Sequence, residues 1–352
     1  MDGNSRKFTL KIAIASTMPN EHTFESVKDA LRHYHEKLKA VRVLEYQSPI
    51  ANDSFPGDFN VSGYHAEIQD LSKAADSFWG IDRCLRLQEK VDAMHSYAFH
   101  MGIFAKSVDL QNNFIDPFQD HRFEEIQEQV LQQFMEALLS LGVISTDIEV
   151  TYLDGAAFGG SGARGRDREL QRQYVFPQDT VTKSFFENQQ AKVYLVKSLA
   201  NIDIRPTESA LVGPRAEIAL GGIEIATIVF DCFQVRGQKL MPINYVAGYA
   251  IGMERLVAAL NKKANLLLAI ERYQSIMNQI TRLAPAVSSS LFIHESFQLA
   301  FGIEALAVVG DSYKSSKSRS EMIRKLKKLL YESAAELGIS ADSVANLFAK
   351  VM

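Results

Sequence analysis

Cysteine is scarce in this 352-residue chain: Cys84 and Cys232 lie far apart and neither has a CxxC partner. That pattern excludes a disulfide framework and points to no structural zinc site, so a reducing compartment, the cytoplasm, is the expected home. A basic excess is missing too, since Lys and Arg number 38 against 42 for Asp and Glu, a formal net charge of −4. No overall positive field therefore advertises nucleic acid, and an RNA partner must be met by a local patch. No run of about 18 apolar residues occurs, and the polar start from Met1 to Thr9 has no apolar stretch of signal-peptide type. Neither a membrane span nor a standard secretory route is expected.

The common catalytic signatures are absent as well. There is no HExxH, no GxSxG, no GxGxxG after a strand, no paired Cys/His signature and no internal repeat. His95 and His100 stand five apart and His294 is isolated on an apolar stretch, which suits core or surface roles. The stretch Gly155 to Gly165, running into Arg166, Arg168 and Arg172, reads either as a mobile solvated loop or as a phosphate- or RNA-facing one, but it lacks the GK[ST] of a P-loop.

What is present is globular: 47% hydrophobic and 23% charged residues, with two domains expected from length. Strands are expected over Phe8 to Ser16 and Val41 to Tyr46, a helix over Ser26 to Val41, and a long loop from Ile50 to Tyr64 followed by Ile68 to Ala75 of open type. Ile126, Val130, Phe134, Leu138 and Leu141 fall at helical steps, which predicts a helix over Phe123 to Leu141 that Gly142 ends, followed by a strand over Asp147 to Leu153.

The richest stretch is Arg215 to Asp231, two β-patterned runs joined by Gly221-Gly222, the composition of a two-residue hairpin turn. With Leu220 opposite Ile223, strict alternation places Arg215, Glu217, Ala219, Glu224 and Ala226 on one face, continued by Ile228 and Phe230. Glu217 and Glu224 become diagonal neighbours, roughly 7 to 8 Å apart at the backbone. Such a pair suits a shared divalent cation, or else a solvated face with an Arg/Glu pair. Next, a strand over Ile243 to Ala250 leads through Gly252 into a helix with Met253, Leu256, Val257 and Leu260 on one side. Arg255 sits in its first turn, where backbone NH groups and the helix dipole favour anions; it is a phosphate or base contact, or a surface arginine. Beyond Asn261 the pattern is helical. Lys314, Lys317, Arg319, Arg324, Lys325, Lys327 and Lys328, opposed by Glu321, form a basic helix face that is either solvated or meets an RNA backbone.

Gly252-Met253-Glu254-Arg255-Leu256 resembles the third signature motif of class II aminoacyl-tRNA synthetases. Gly213-Pro214-Arg215-Ala216-Glu217 and the run Gly222 to Phe230 resemble what precedes that motif in the archaeal type of alanyl-tRNA synthetase. Asp82 to Arg86 and the region of Phe99-His100-Met101 are similar to the family's second motif, and the helix of Met322 to Leu330 to its tRNA-recognition domain. The resemblance implies a divergent, truncated paralogue of α+β fold: a mostly antiparallel sheet flanked by helices over 1–262, then an all-helical domain over 263–352. It also implies ATP and Mg²⁺ as cofactors, activation of an amino acid or related carboxylate as an acyl-adenylate, and transfer to tRNA or another nucleophile. A homodimer is compatible with it, and the oligomeric state stays open. By match, Arg255 contacts the nucleotide, Gly252 lets the backbone approach it, Arg83 or Arg86 adds a cation, Glu217 and Glu224 line the metal, and Glu217 and Thr227 line the substrate side. Arg324, Lys325, Lys327 and Lys328 would meet RNA. The sequence departs from the family at three substrate and phosphate positions: His100 for a glutamate, Met94 for the second-motif arginine, and Gly248 for the acid that holds an ammonium group. Those departures leave a second reading, a non-catalytic descendant that binds or regulates.

Overall fold

The computed structural model describes residues 22–38, 42–45, 77–83, 98–108, 115–157, 174–196, 202–204, 211–236, 239–263, 270–283 and 316–351, with short pieces between 295 and 306. The expected strand over Phe8 to Ser16, the segments from Ile50 to Ala75, the loop beyond Ala157, Arg86, Met94 and His294 lie outside these residues.

Helix α1 (Phe24–Glu36) begins at Thr23, whose hydroxyl accepts from the Ser26 NH while the Ser26 hydroxyl accepts from the Thr23 NH, a reciprocal cap. Its buried stripe, Val27, Leu31 and His35, runs at steps of four. Strands β1 (Arg42–Glu45), β2 (Ser77–Arg83) and β3 (Ala98–Lys106) follow. Helix α2 (His121–Ser140) is capped by Asp120, and the chain leaves it through Gly142 at φ 80°. Burial alone would raise the Asp120 carboxyl, but bonds from Arg122 and the Tyr245 hydroxyl outweigh it and hold it at about 2.

Next come β4 (Ile148–Ala157), β5 (Val175–Gln178), α3 (Thr180–Asn188), β6 (Lys192–Val196) and β7 (Ile202–Ile204). Strand β4 takes in Gly155, so the expected glycine-rich loop starts as strand. Strands β8 (Leu211–Leu220) and β9 (Ile223–Arg236) form the expected hairpin, and β10 (Lys239–Gly252) runs straight into α4 (Met253–Leu260). Both turn glycines have positive φ, 59° and 79°, which a residue with a Cβ adopts at a penalty.

The strands form one sheet in the order β1-β2-β3-β10-β9-β8-β4-β5, with β6 beside β4 and β7 beside β8. Pairing is antiparallel except at β1/β2 and β4/β6. The fold is α+β, a mostly antiparallel sheet flanked by helices, as expected. Helices α1, α2 and α4 cover one face, burying Phe104, Tyr245, Ala247, Tyr249, Ile251, Ala216, Ile218, Ile228 and Phe230. On the other face Phe78, Met101, Ile103, Leu211, Ile243 and Val246 make a smaller apolar cluster. Helices α5 (Glu271–Leu283), α6 (Ser316–Glu336) and α7 (Ala341–Val351) contribute Ile276, Leu326, Leu330 and Leu347 to the larger core. Among the described residues no helix is long and apolar enough to cross a membrane.

One expectation about the hairpin is corrected. Ala219 pairs with Glu224, as the turn requires, but the register then shifts, so Ile218 faces Ala226 and Glu217 faces Thr227. The extra residue, Ile225, is a β-bulge that reverses the alternation of β9. Ala226, Ile228 and Phe230 therefore turn into the helix-side core, and Thr227 and Val229 take their places beside Arg215 and Glu217.

Candidate active site on the outer sheet face

Cross-strand pairing builds the site from residues of five strands. One row across the outer face runs Met101, Ala250, Thr227, Glu217, Thr151, from β3 to β4. The row beside it runs Ile103, Gly248, Val229, Arg215. Met101 and Ile103 are buried, whereas Ala250, Thr227, Val229, Arg215, Glu217, Ala219 and Thr151 are all half-buried. The result is a shallow floor, apolar toward β3 and charged toward β8.

Two ion pairs mark the charged end. Arg215 is paired with Glu217 on the same strand two residues on. Arg255 arrives from α4, which starts directly after Gly252, and its Nη1 donates to Glu224 Oε1 at 3.1 Å and lies 3.5 Å from the Glu224 carbonyl oxygen. The hairpin tip thus brings Glu224 to the first turn of the helix that follows β10. The fold brings together Glu217, Thr227 and Arg215, and likewise Glu224 and Arg255. All four charged side chains keep solvent contact, at 25 to 48% exposure.

Of the other expected site residues, Gly248 lies in the floor and the rest are placed elsewhere. His100 is fully buried on the helix side, in the row of Ile81, Ile251 and Ala226, so it faces away from Thr227 and Glu217. Gly248 lies on the outer face, but a Cβ there would stand 2.6 Å from Ile103 Cδ1 and 2.7 Å from the Gly102 carbonyl oxygen, so the position has no room for an acid. Arg83 ends β2 opposite Ala98. On α6, Arg324, Lys327 and Lys328 are exposed and Lys325 is half-buried, with Lys328 held 3.6 Å from Glu332.

Three contributors escaped the sequence reading. Thr151 and Ala250 join the floor through pairings over long sequence separations, for which no local signal exists. Asn261, at the end of α4, accepts from the His22 NH at 2.8 Å and donates to the His22 carbonyl at 2.6 Å, tying the start of α1 to the helix of Arg255. An Asn just past a helix end is a signal that could have been read.

The donor set can be compared with what Mg²⁺ asks. No group of three or more His, Cys, Asp or Glu that could hold a metal occurs among the described residues. Mg²⁺ beside a nucleotide uses one or two carboxylates, with phosphates and water supplying the rest. Glu217 and Glu224 supply two carboxylates, each paired here with an arginine.

No family model matches the chain, and no curated protein matches it. Among solved structures it is similar to pyrrolysyl-tRNA synthetase of Desulfitobacterium hafniense. One structure, PylSc, has TM-score 0.37 and 12% identity over 71% of this chain and 73% of that one. A second has TM-score 0.38 and 11% identity over 71% and 74%.

Proposed function

We propose that the chain is an adenylate-forming ligase of the class II synthetase type. It activates a carboxylate with ATP and passes the acyl group to tRNA or another nucleophile, as an alanyl-tRNA synthetase-like paralogue. The observation that carries this reading is the delivery of Arg255, from the first turn after Gly252, to Glu224 at the hairpin tip, with the Arg215–Glu217 pair on the strand that leads into that tip. The chemistry asks mainly for that. A carboxylate oxygen attacks the α-phosphorus, the bond to the β-phosphate oxygen breaks, and pyrophosphate leaves; a nucleophile then takes the acyl carbon and AMP departs. Positioned cations that offset phosphate charge and fix the line of attack do most of the work.

Arg255 and Arg215 supply permanent charge and planar forks suited to phosphate and carboxylate oxygens. Their present partners are carboxylates, so a nucleotide replaces one anionic partner with another at modest desolvation. Mg²⁺, held by Glu224 and Glu217, would neutralise phosphate oxygens. Thr227 and Ala250 leave space for the carboxylate substrate, with Val229 and Ile103 as its apolar wall. The exposed Arg324, Lys327 and Lys328 suit an RNA backbone, and in this reading the helices of 263–352 serve recognition while 1–262 serves chemistry.

The second reading, a catalytically degenerate paralogue that binds or regulates, is favoured by the closed position 248. Pyrophosphate exchange with Mg²⁺-ATP and pooled amino and related acids tests the choice. Exchange supported by one acid is the expected result. No exchange, together with no ATP binding by calorimetry, overturns the ligase.

A further inference from the structure

The helix face of the sheet holds a second polar cluster, on different residues from the acid–arginine tract. His35, in the last turn of α1, points into the sheet. Its ring stacks on Trp79 with centroids 5.2 Å apart and 16° between planes, and it lies 4.8 Å from the ring of His100. Its Nε2 is 2.7 Å from the Tyr249 hydroxyl. His35, His100, Trp79 and Tyr249 are each 1% exposed or less. His35 Nδ1 and both ring nitrogens of His100 have no hydrogen-bond partner. A neutral imidazole carries one NH and one lone pair, so His100 leaves both unmet. Buried polar atoms in that condition are rare in native cores and lower stability, and a phenylalanine would fill the same space without them.

Among the described residues, the Tyr249 hydroxyl is the one hydrogen-bond partner that the two rings have. Tyr34 of α1 sets its ring edge against His35 at 4.9 Å, and its hydroxyl donates to Glu136 of α2 at 2.9 Å. Tyr249 comes from β10, Trp79 from β2, and Phe134 of α2 packs on Tyr249. Arg32 and His33 precede the pair on α1, and α4, which also packs on α1, carries Glu254 and Arg255. Burial brings His35 down to about 4 from its ordinary 6.5, and burial together with the neighbouring His35 pushes His100 well below 6.5.

We propose that the His35–His100 pair is an acid-sensitive latch that holds α1 on the sheet at neutral pH and releases it when either ring takes up a proton. A charged imidazole against a second imidazole, in a cluster of aromatic rings, is relieved by leaving the sheet for water. His35 is the movable partner because it ends a helix, while His100 is fixed in the middle of the sheet between β2 and β10. Release has a consequence for the outer face. Helix α1 packs on α4, and the His22–Asn261 bonds tie the two together, so undocking α1 loosens the helix that positions Arg255.

The direction in pH follows from proton counting. Both rings have folded-state values below the unfolded value, so the released state binds more protons and the docked state gains as pH rises. Docking is complete above about 6.5 and is lost as pH falls toward about 4. Trp79 is the chain's single tryptophan and touches His35, so its emission reads the latch directly.

The test follows Trp79 emission and far-UV circular dichroism from pH 7.5 to 4 on the full chain, in the wild type, in His100→Phe and in the double variant His35→Phe/His100→Phe. Expected are a change in Trp79 emission below about pH 6.5 with the sheet signal retained, a steepness of about two protons in the wild type and about one in His100→Phe, and no transition in the double variant. Emission that stays constant to pH 4 overturns the latch. So does a transition that coincides with loss of the sheet signal, or one that persists unchanged in the double variant. Should a variant fail to fold, the wild-type histidine Cε1–H titration by NMR decides: two rings that titrate together with amide exchange in α1 support the latch, and two that titrate near 6.5 with α1 protected overturn it.

Discussion

The two faces of strands β3, β9 and β10 are made from alternate residues of the same chain segments, yet they differ in almost every property. Toward the helices stand Phe104, His100, Ile228, Phe230, Tyr249 and Ile251, all buried, with the histidines kept neutral by lack of water. On the other side, one residue over, stand Thr227, Val229 and Ala250, half-buried and adjoining two arginine–glutamate pairs. Burial therefore decides what a charge can do here. Ion pairs on the wetter face contribute little to stability, which leaves their groups available to a ligand. The dry face contributes the stability and holds a charge where partners meet it, as Arg122 and the Tyr245 hydroxyl meet Asp120.

The comparison breaks most visibly at adjacent residues of β9. Phe230→Ala should lower unfolding free energy by about 3 to 5 kcal/mol, since a fully buried ring leaves a cavity under α2 and α4. Val229→Ala, one residue earlier and half-exposed, should cost about 1 kcal/mol or less. Urea denaturation of the two variants measures both. Equal losses would mean that the outer face is as tightly packed as the inner one.

Arg255→Ala comes next and should have the reverse profile. Pyrophosphate exchange and ATP affinity should fall about 100-fold or more, because a pre-positioned cation for phosphate charge is gone. Stability should change by about 1 kcal/mol or less, because the Arg255–Glu224 pair is 25% and 48% exposed. A variant that keeps its ATP affinity moves the nucleotide off this face. Reversal of the α6 patch, Arg324, Lys325, Lys327 and Lys328 all to Glu, should weaken tRNA binding at least about tenfold at low salt and flatten its salt dependence. Filter binding across a salt series measures it, and unaltered affinity directs the acyl group to a different acceptor.

Much of the inner face was legible in the sequence because its elements are local. Helix α2 and its end at Gly142, the two-glycine turn and the passage from β10 through Gly252 into α4 all follow from spacing over fewer than twenty residues. The register past the turn did not. Glu224 to Phe230 satisfies strict alternation as written, and only the preference of the larger Ile228 and Phe230 over Val229 for the core argues for a bulge at Ile225. That preference is tertiary: it depends on α2 and α4 lying above one face. The same holds for His100, whose side is fixed by its pairing on β3 with Ile251 of β10, far along the chain. A motif match could place it opposite a substrate, but it could not say which way a strand residue points. The placing of Glu224 beside the turn, opposite Ala219, and of Arg255 in the first turn of α4 was legible because turn geometry and the strand-to-helix step fix each locally.

The smallest expected effect isolates backbone from packing at the hairpin tip. Gly222 has φ 79° and nothing within 4 Å of where a Cβ would stand, so Gly222→Ala meets no neighbour and feels conformation alone. Its cost should be about 1 kcal/mol, the penalty of the left-handed region for an ordinary residue. Gly221→Asn, at φ 59°, should cost a few tenths at most, because asparagine tolerates that region and restricts the unfolded chain. Glu224 lies two residues beyond the turn and is held by Arg255 rather than by the glycines, so neither substitution should change pyrophosphate exchange by more than about twofold. A large loss of exchange with stability intact would show that the tip geometry itself sets the carboxylate, and would move part of the site's precision from the sheet into the turn.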